Sequence, residues 1–300
     1  MQRALLGLQT TVWDKINNSI ATVTSEIGPV TPNALLDHFD RHFHTLTAQT
    51  FEQIQIAEKI RYQVYCVENR HEKANNGLGR ESDEFDSHAV QSLLFCRATN
   101  IAVGTVRLIL PVPEEIDQSF PLMRLLNYSS QKEFSSLPLL SMGEISRFSI
   151  SQQFRRVHTA INGADNSVIS NSAPLMRAGL VRAIVRMSME NAITHWCALM
   201  APALLRMLAA MGLHFIPIGP LIEFRGHRQP CHANVLDILE GVRRKHPAIW
   251  SVMTNGERCP LSQVQKESGM SARSRRRVGA IGMPVLAGEL DTNWRGQMPR

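Results

Sequence analysis

Four short clusters in this chain carry residue types that can accept a proton or hold an anion. In order they are Arg61-x-x-Val64-Tyr65, Glu81-x-Asp83-x-Phe85-Asp86, Gly104-Thr105-Val106-Arg107-Leu108 and Glu144-Ile145-Ser146-Arg147-Phe148. A carboxylate can take a proton from an attacking group. A guanidinium can fix a carboxylate and keep it ionised. Each cluster alone also has an ordinary explanation: a solvated helix edge, an acidic loop, or a surface Glu–Arg pair of little energetic weight.

The elements that must position these residues follow from periodicity. Residues 51–68 have an apolar stripe at Ile56, Ile60, Val64 and Val67, which predicts a helix with Arg61, Tyr65 and Glu68 on a neighbouring face. VQSLLFCRA and IAVGTVRLIL predict a hairpin around Thr99-Asn100, with Gly104 marking a bulge or a close backbone approach. After a Pro- and Ser-punctuated excursion over 113–138, a strand is expected at about 143–151. A strict two-residue period would put Glu144 and Arg147 on opposite faces of that strand, so both can serve one site only if the register breaks between them. Next come a polar insertion over 152–174, a helix opened by Pro174, the strand THWCALM and a helix from Pro202 to Gly212. HFIPIGPLIEF reads as another strand and about 233–250 as a last helix. Asn33 to Thr47 reads as a helix carrying Leu35, Leu36, Phe39 and Phe43 within a leader over 1–50. The predicted fold is α/β, a mixed central sheet flanked by helices. The predicted organisation is a leader over 1–50, one domain over 51–256 and a flexible basic tail over 257–300.

The 300 residues are 44% hydrophobic and 19% charged, an ordinary globular balance that excludes disorder of the whole chain. The net charge of +6 is uneven: residues 257–300, with the run SARSRRR, hold eight Lys/Arg against four Asp/Glu. Such a tail attracts anionic partners without choosing among them. Five scattered cysteines without a CxxC pair argue against a disulfide framework and a structural zinc site, and fit a reducing cytoplasm. The first twenty residues lack the apolar core of a signal peptide, and no apolar run is long enough to span a bilayer, so any membrane contact is expected to be peripheral. His88, His195 and His232 have no partner at ligand spacing, so no metal is expected. Cys66 and Cys197 could in principle carry an acyl group, but one sits on a helix and the other in an apolar strand, where packing is the ordinary role.

The ordered set of clusters resembles the acyl-homoserine-lactone synthases, which carry the same R-x-x-V-aromatic, E-x-D-x-x-D, G-x-x-R-L and E-x-S-R-F pattern. It is more similar to the N-acyl amino acid synthases, and most similar to the acyltransferases associated with the PEP-CTERM/exosortase system. For that last group the resemblance continues through His195-Trp196, Ile218-Gly219-Pro220, Glu223-Phe224-Arg225-Gly226 and Arg228-Gln229-Pro230-Cys231. It implies a GNAT-like acyl-CoA N-acyltransferase fold and an enzyme that moves a fatty acyl group from a thioester to the amine of an amino acid.

The resemblance also implies that the acidic and arginine residues form one cluster. Glu144 is the candidate base with Asp83 behind it, though a bound water can relay the proton. Arg107 and Arg147 would hold those carboxylates ionised and could grip a substrate carboxylate. Arg61, Tyr65, Glu81, Asp86, Ser146 and Phe148 are expected to bind substrate. The oxyanion formed on attack needs fixed donors, such as backbone N–H groups exposed at a strand bulge. Met123, Leu125, Leu126, Leu199, Met200 and the 201–212 helix with Met207 are expected to line an acyl slot. Arg155, Arg156, Arg182 and Arg186 are the expected docking charges for an acidic carrier protein.

Two departures matter. The lactone synthases have a Trp after the first motif, where this chain reads Glu68-Asn69-Arg70-His71. The Gly-rich pyrophosphate loop of coenzyme-A-dependent GNAT enzymes is also missing. The expectation is therefore acyl carrier protein as donor rather than acyl-CoA, an amino-acid acceptor, and no further cofactor. Lactone synthesis is the alternative enzyme. A non-enzymatic basic binding protein is the alternative class, with nucleic acid not an expected partner.

Overall fold

The computed structural model describes residues 31–69, 78–153, 173–224 and 226–256. Thr31 accepts a hydrogen bond from Ala34 N–H and Pro32 opens α1 (Pro32–His42). The reading of 33–47 as one helix needs correcting. Phe43 turns extended (φ −133°, ψ 160°), and β1 (Phe43–Thr47) pairs antiparallel with β2 (Ala89–Cys96), Phe43 opposite Cys96. The β-forming FHTLT run gains more on a sheet edge than in another helical turn. This segment is also not a leader. Leu35, Phe39 and Phe43 are buried in the main core, and the Phe39 ring lies 2.5 Å from where a Cβ on Gly179 would stand.

A capping box between Thr50 and Gln53 starts α2 (Phe51–Tyr62). The expected single helix then widens into a π turn, Gln63–Glu68, closed by the Asn69 N–H on the Val64 carbonyl. Turns of this kind re-aim side chains and recur at functional sites. The hairpin is present: β2 pairs with β3 (Ile101–Ile109) across a turn where Asn100 is left-handed, φ 54°.

The β2–β3 register slips beside Gly104, and a Cβ there would lie 2.8 Å from the Ser149 carbonyl oxygen of β4 (Met142–Ile150). The expected break within β4 is also present. Thr105 faces Ser149 and Arg107 faces Ser146, so Arg147 and Phe148 together oppose Val106, and Arg147 takes φ +51°. β4 then runs parallel to β5 (His195–Met200) only over Met142–Glu144. Past Glu144 the two strands part.

Between β3 and β4 the excursion contains 3-10 turns at Pro113–Gln118 and Pro121–Leu125 and the short helix α3 (Tyr128–Ser135). One face of the sheet carries the main core under α1, α4 (Ala173–Glu190), α6 (Val235–Lys245) and α7 (Pro247–Thr254). The stretch HFIPIGPLIEF is two short strands, β6 (Ile216–Pro217) and β7 (Ile222–Glu223), following α5 (Pro202–Ala210). Both pair with β8 (His227–Asn234), which also pairs with β5. HRQPCHAN has no apolar alternation and a central proline, so nothing local marks it as a strand. The last helix accordingly begins at Val235, capped by Asn234, and breaks at Pro247.

The eight strands run β1-β2-β3-β4-β5-β8-β6, with β7 on β8. The architecture is the expected mixed sheet flanked by helices. Among the described residues no helix is long and apolar enough to cross a membrane.

The 2.8 Å approach at Gly104 makes a prediction. Gly104→Ala should force β3 and β4 apart and destabilise the protein by roughly 1–3 kcal/mol, read as a lower urea midpoint with an unchanged slope.

Candidate active site

Opposed residues in a sheet share a face, as do alternate residues along a strand. Gln91 lies opposite Arg107, Arg107 opposite Ser146, Glu144 opposite Cys197 and Leu199 opposite Pro230. These residues therefore share the face away from the main core. The acidic motif folds over them. Asp83 caps the 3-10 turn Glu84–His88 by accepting from Phe85 N–H, and Asp86 accepts from Asp83 N–H, which accounts for their three-residue spacing.

Three guanidiniums and three carboxylates alternate there. Arg61 donates from Nε to Glu81 at 2.5 Å and to Asp86 through both Nη atoms at 2.6 and 3.0 Å. Arg107 makes a bidentate pair with Asp83 at 2.6 and 3.0 Å, and also donates to Asp86 at 2.8 Å and Ser146 Oγ at 2.9 Å. Arg147 donates from Nη2 to Glu81 at 2.7 Å and Asp83 at 3.0 Å, with its guanidinium 5.3 Å from the Tyr65 ring centre. Burial would raise Glu81 and Asp86, but hydrogen bonds and charge from Arg147 and Arg61 on Glu81, and from Arg61 and Arg107 on Asp86, outweigh it. Each is held at about 2.

Glu144 behaves differently. It is buried, and its one hydrogen bond among the described residues comes from Leu122 N–H to Oε2 at 2.9 Å. Burial pushes it up to about 7; the Leu122 bond and the charges of Arg107 and Arg147 only partly oppose this. The expectation that arginines hold Glu144 ionised is thus corrected, because neither contacts it. A carboxyl poised near neutrality suits a general base. Asp83 suits that role less, since both its oxygens already accept from guanidiniums.

A cavity of about 500 Å3 opens where β4 and β5 part. At one end stand Glu81, Asp83, Arg107, Glu144, Ser146 and Arg147. The bulge faces it too, and a bulge takes backbone groups out of ladder pairing. At the other end Val181, Ile184, Leu204, Leu208, Leu213 and Phe215 form an apolar arm reaching the main-core side.

Tyr65, Ser146 and Phe148 line the cavity, and so do Leu125, Leu199 and Met200. Several expectations need correction. Arg61 and Asp86 do not line it: Arg61 is fully buried behind Glu81, so both support the site rather than contact a substrate. Arg107 is committed to protein carboxylates and Ser146, so it is not placed to grip a substrate carboxylate, and Arg147 is bound to Glu81 and Asp83. Met123 and Leu126 pack in a separate cluster with Phe120 and Phe134, and Met207 does not reach the cavity. Arg182 is a cross-link to Asp40 at 2.8 Å, also bonded to Asn255 and set over the Phe39 ring, not an open docking charge. Arg186 is exposed and paired with Glu190. Arg155, Arg156 and the basic tail lie outside the described residues. Cys197 is buried, and burial with the nearby Glu144 pushes its thiol well above its ordinary value, which fits packing rather than an acyl carrier.

The 201–212 helix, expected at the acyl slot, supplies Leu204 and Leu208 of the apolar arm, whereas its other wall and the Leu122 N–H were not singled out. Val181 and Ile184 were legible only as a core stripe, and a backbone donor leaves no mark in the residue types.

Residues 60–161 match the family model described as an acetyltransferase (GNAT) domain. No curated protein matches the chain. Among solved structures, TofI in a ternary complex with an inhibitor and MTA is 17% identical, with 66% of this chain and 96% of that chain covered and a TM-score of 0.48. MesI, described as a CoA-dependent acyl-homoserine lactone synthase, is 18% identical, with 68% and 95% covered and a TM-score of 0.45. FeeM, described as an N-acyl amino acid synthase from uncultured soil microbes, is 13% identical, with 66% and 94% covered and a TM-score of 0.44. At these values the structural likenesses carry no argument about substrates. What the match shows is a GNAT-type acetyltransferase domain over residues 60–161, the stretch that supplies the ion network and Glu144.

Two predictions follow from the charges. Arg61→Ala leaves Glu81 and Asp86 with less compensation and should cost about 3–5 kcal/mol, visible as a large fall in Tm. Glu144 has a folded-state value near 7 against an ordinary 4.5, so the stability it contributes is complete below about 4.5 and lost as pH rises through about 7. Glu144→Gln removes that loss. Its stability relative to wild type should therefore improve between pH 5 and pH 8 by on the order of 3 kcal/mol, measured by paired denaturant titrations.

Proposed function

We propose that the chain transfers a fatty acyl group from a carrier-protein thioester to the amine of an amino acid. The observation that carries this reading is a cavity that holds Glu144, a buried carboxyl without a guanidinium contact, between an ion network and an apolar arm. In the proposed reaction the acyl chain lies among Val181, Ile184, Leu204 and Leu208. The amine, its proton passing to Glu144 directly or through water, attacks the thioester carbonyl. The oxyanion is met by backbone N–H groups at the Arg147–Phe148 bulge, and its collapse expels the thiolate of the donor, which takes up a proton.

The choice of a carrier protein over free coenzyme A has support beyond the missing Gly-rich loop. The backbone N–H groups of Gln152 and Gln153, just past β4, are occupied by Glu68 at 3.1 and 3.0 Å, and Ser151 Oγ donates to Glu68 at 2.8 Å. Donors arranged this way could otherwise take a diphosphate. On this reading the enzyme works in the cytoplasm, needs no metal or redox cofactor and takes acyl carrier protein as partner. The likeness of its motifs to exosortase-associated acyltransferases belongs to the same proposal.

Mass spectrometry of lipid extracts from cells expressing wild type and Glu144→Gln tests it. A new N-acyl amino acid is expected with wild type, reduced at least about 100-fold in the variant. A homoserine lactone would move the assignment to lactone synthesis. No acylated product from soluble wild-type protein supplied with acyl carrier protein and amino acids would sink the reading.

A further inference from the structure

An amino-acid acceptor brings a carboxylate as well as an amine, and an unpaired carboxylate in a largely apolar cavity is strongly disfavoured. This inference rests on the acyl-transfer reading and asks which residue meets that second charge. Arg107 and Arg147 line the cavity, but Asp83 and Glu81 already neutralise them.

Arg228 differs. It lines the same cavity, half-buried, and among the described residues no carboxylate lies within 4.0 Å of its guanidinium. Its hydrogen bond goes from Nη1 to the neighbouring His227 carbonyl at 3.2 Å. Glu223, the acidic residue of the same β7–β8 hairpin, is taken up by His227 Nδ1 at 2.9 Å.

The sheet register puts Arg228 on the face of Glu144. Glu144 lies opposite Cys197, Cys197 opposite His232, and Arg228 is four residues before His232 on β8. Two strands across and four residues along amounts to roughly 15 Å between Cα atoms. Both side chains line the cavity between those positions, a span that an amino acid and an extended arginine side chain together can bridge.

We propose that Arg228 binds the acceptor's carboxylate, which makes amino acids, rather than plain amines, the acceptor class of this cavity. Arg228 then sets specificity and orientation: it fixes one end of the acceptor so that the amine faces Glu144.

Calorimetric binding to the full chain tests this with two probes, N-dodecanoylglycine and its neutral amide N-dodecanoylglycinamide, which differ in the carboxylate. Wild type should prefer the acid by about 10–100-fold, the range of a charge-assisted contact. Arg228→Gln should lose that preference while keeping its affinity for the amide, and Arg228→Lys should keep part of it. Equal binding of both probes by wild type, or a preference that survives in Arg228→Gln, overturns the proposal and leaves acyl transfer standing. Binding of neither probe by wild type counts against both. A parallel titration with 4′-phosphopantetheine checks the donor. Binding of it that is lost in Arg228→Gln, with the acid preference retained, would assign Arg228 to the donor's phosphate and overturn the proposal.

Discussion

Six opposite charges, those of Arg61, Arg107, Arg147, Glu81, Asp83 and Asp86, are taken largely out of water on one face of the sheet. Such a group is stable only when its members satisfy one another, because each charge left unmatched costs several kcal/mol. The alternation meets that condition with bidentate geometry at Arg107 and with both Nη atoms of Arg61 on Asp86. It also ties together α2, the acidic loop, β3 and β4, which supply Arg61, the three carboxylates, Arg107 and Arg147. The arginines so engaged leave Glu144 without a direct cationic partner. Its raised proton affinity comes first from burial, which the Leu122 bond and the more distant charges of Arg107 and Arg147 only partly oppose.

The second constraint is the break in β4. Arg147 adopts a left-handed backbone that a bulky residue takes only where its surroundings compel it. The extra residue opposite Val106 brings the Arg147 side chain to the carboxylates, although Glu144 lies three positions earlier on the same strand. Close to that break β4 leaves β5, and the gap lets one cavity touch both sides of the sheet. A polar end and an apolar arm then meet without a helix or loop having to separate them. Glu68 and the π turn hold the end of β4 from the other direction and bring Tyr65 against Arg147.

Much of the scaffold was legible in the residues because its causes are local. The stripe through Ile56 and Ile60 marks α2, Asn100 makes the hairpin turn, and Gly104 is where two backbones nearly touch. A two-residue period puts Glu144 and Arg147 on opposite faces, so the bulge was legible only as a condition for both to serve one site. What misread was also local in origin. FHTLT continues an amphipathic pattern yet finds a sheet edge, and HRQPCHAN has no strand pattern yet lies between β5 and β6.

The sequence by itself determined which elements form at the centre of the chain and which acidic and basic residues accompany them, since capping, turn preference and periodicity act over a few neighbouring positions. Only the tertiary structure decided which arginines are already engaged, that Arg61 supports rather than contacts the cavity, and that Glu144 holds its proton near neutral pH. Those properties depend on desolvation and charge pairing among segments tens of residues apart. Arg61 meets Glu81 and Asp86, Glu81 meets Arg147, and the donor to Glu144 is a backbone N–H at Leu122 that no pattern of side chains could reveal.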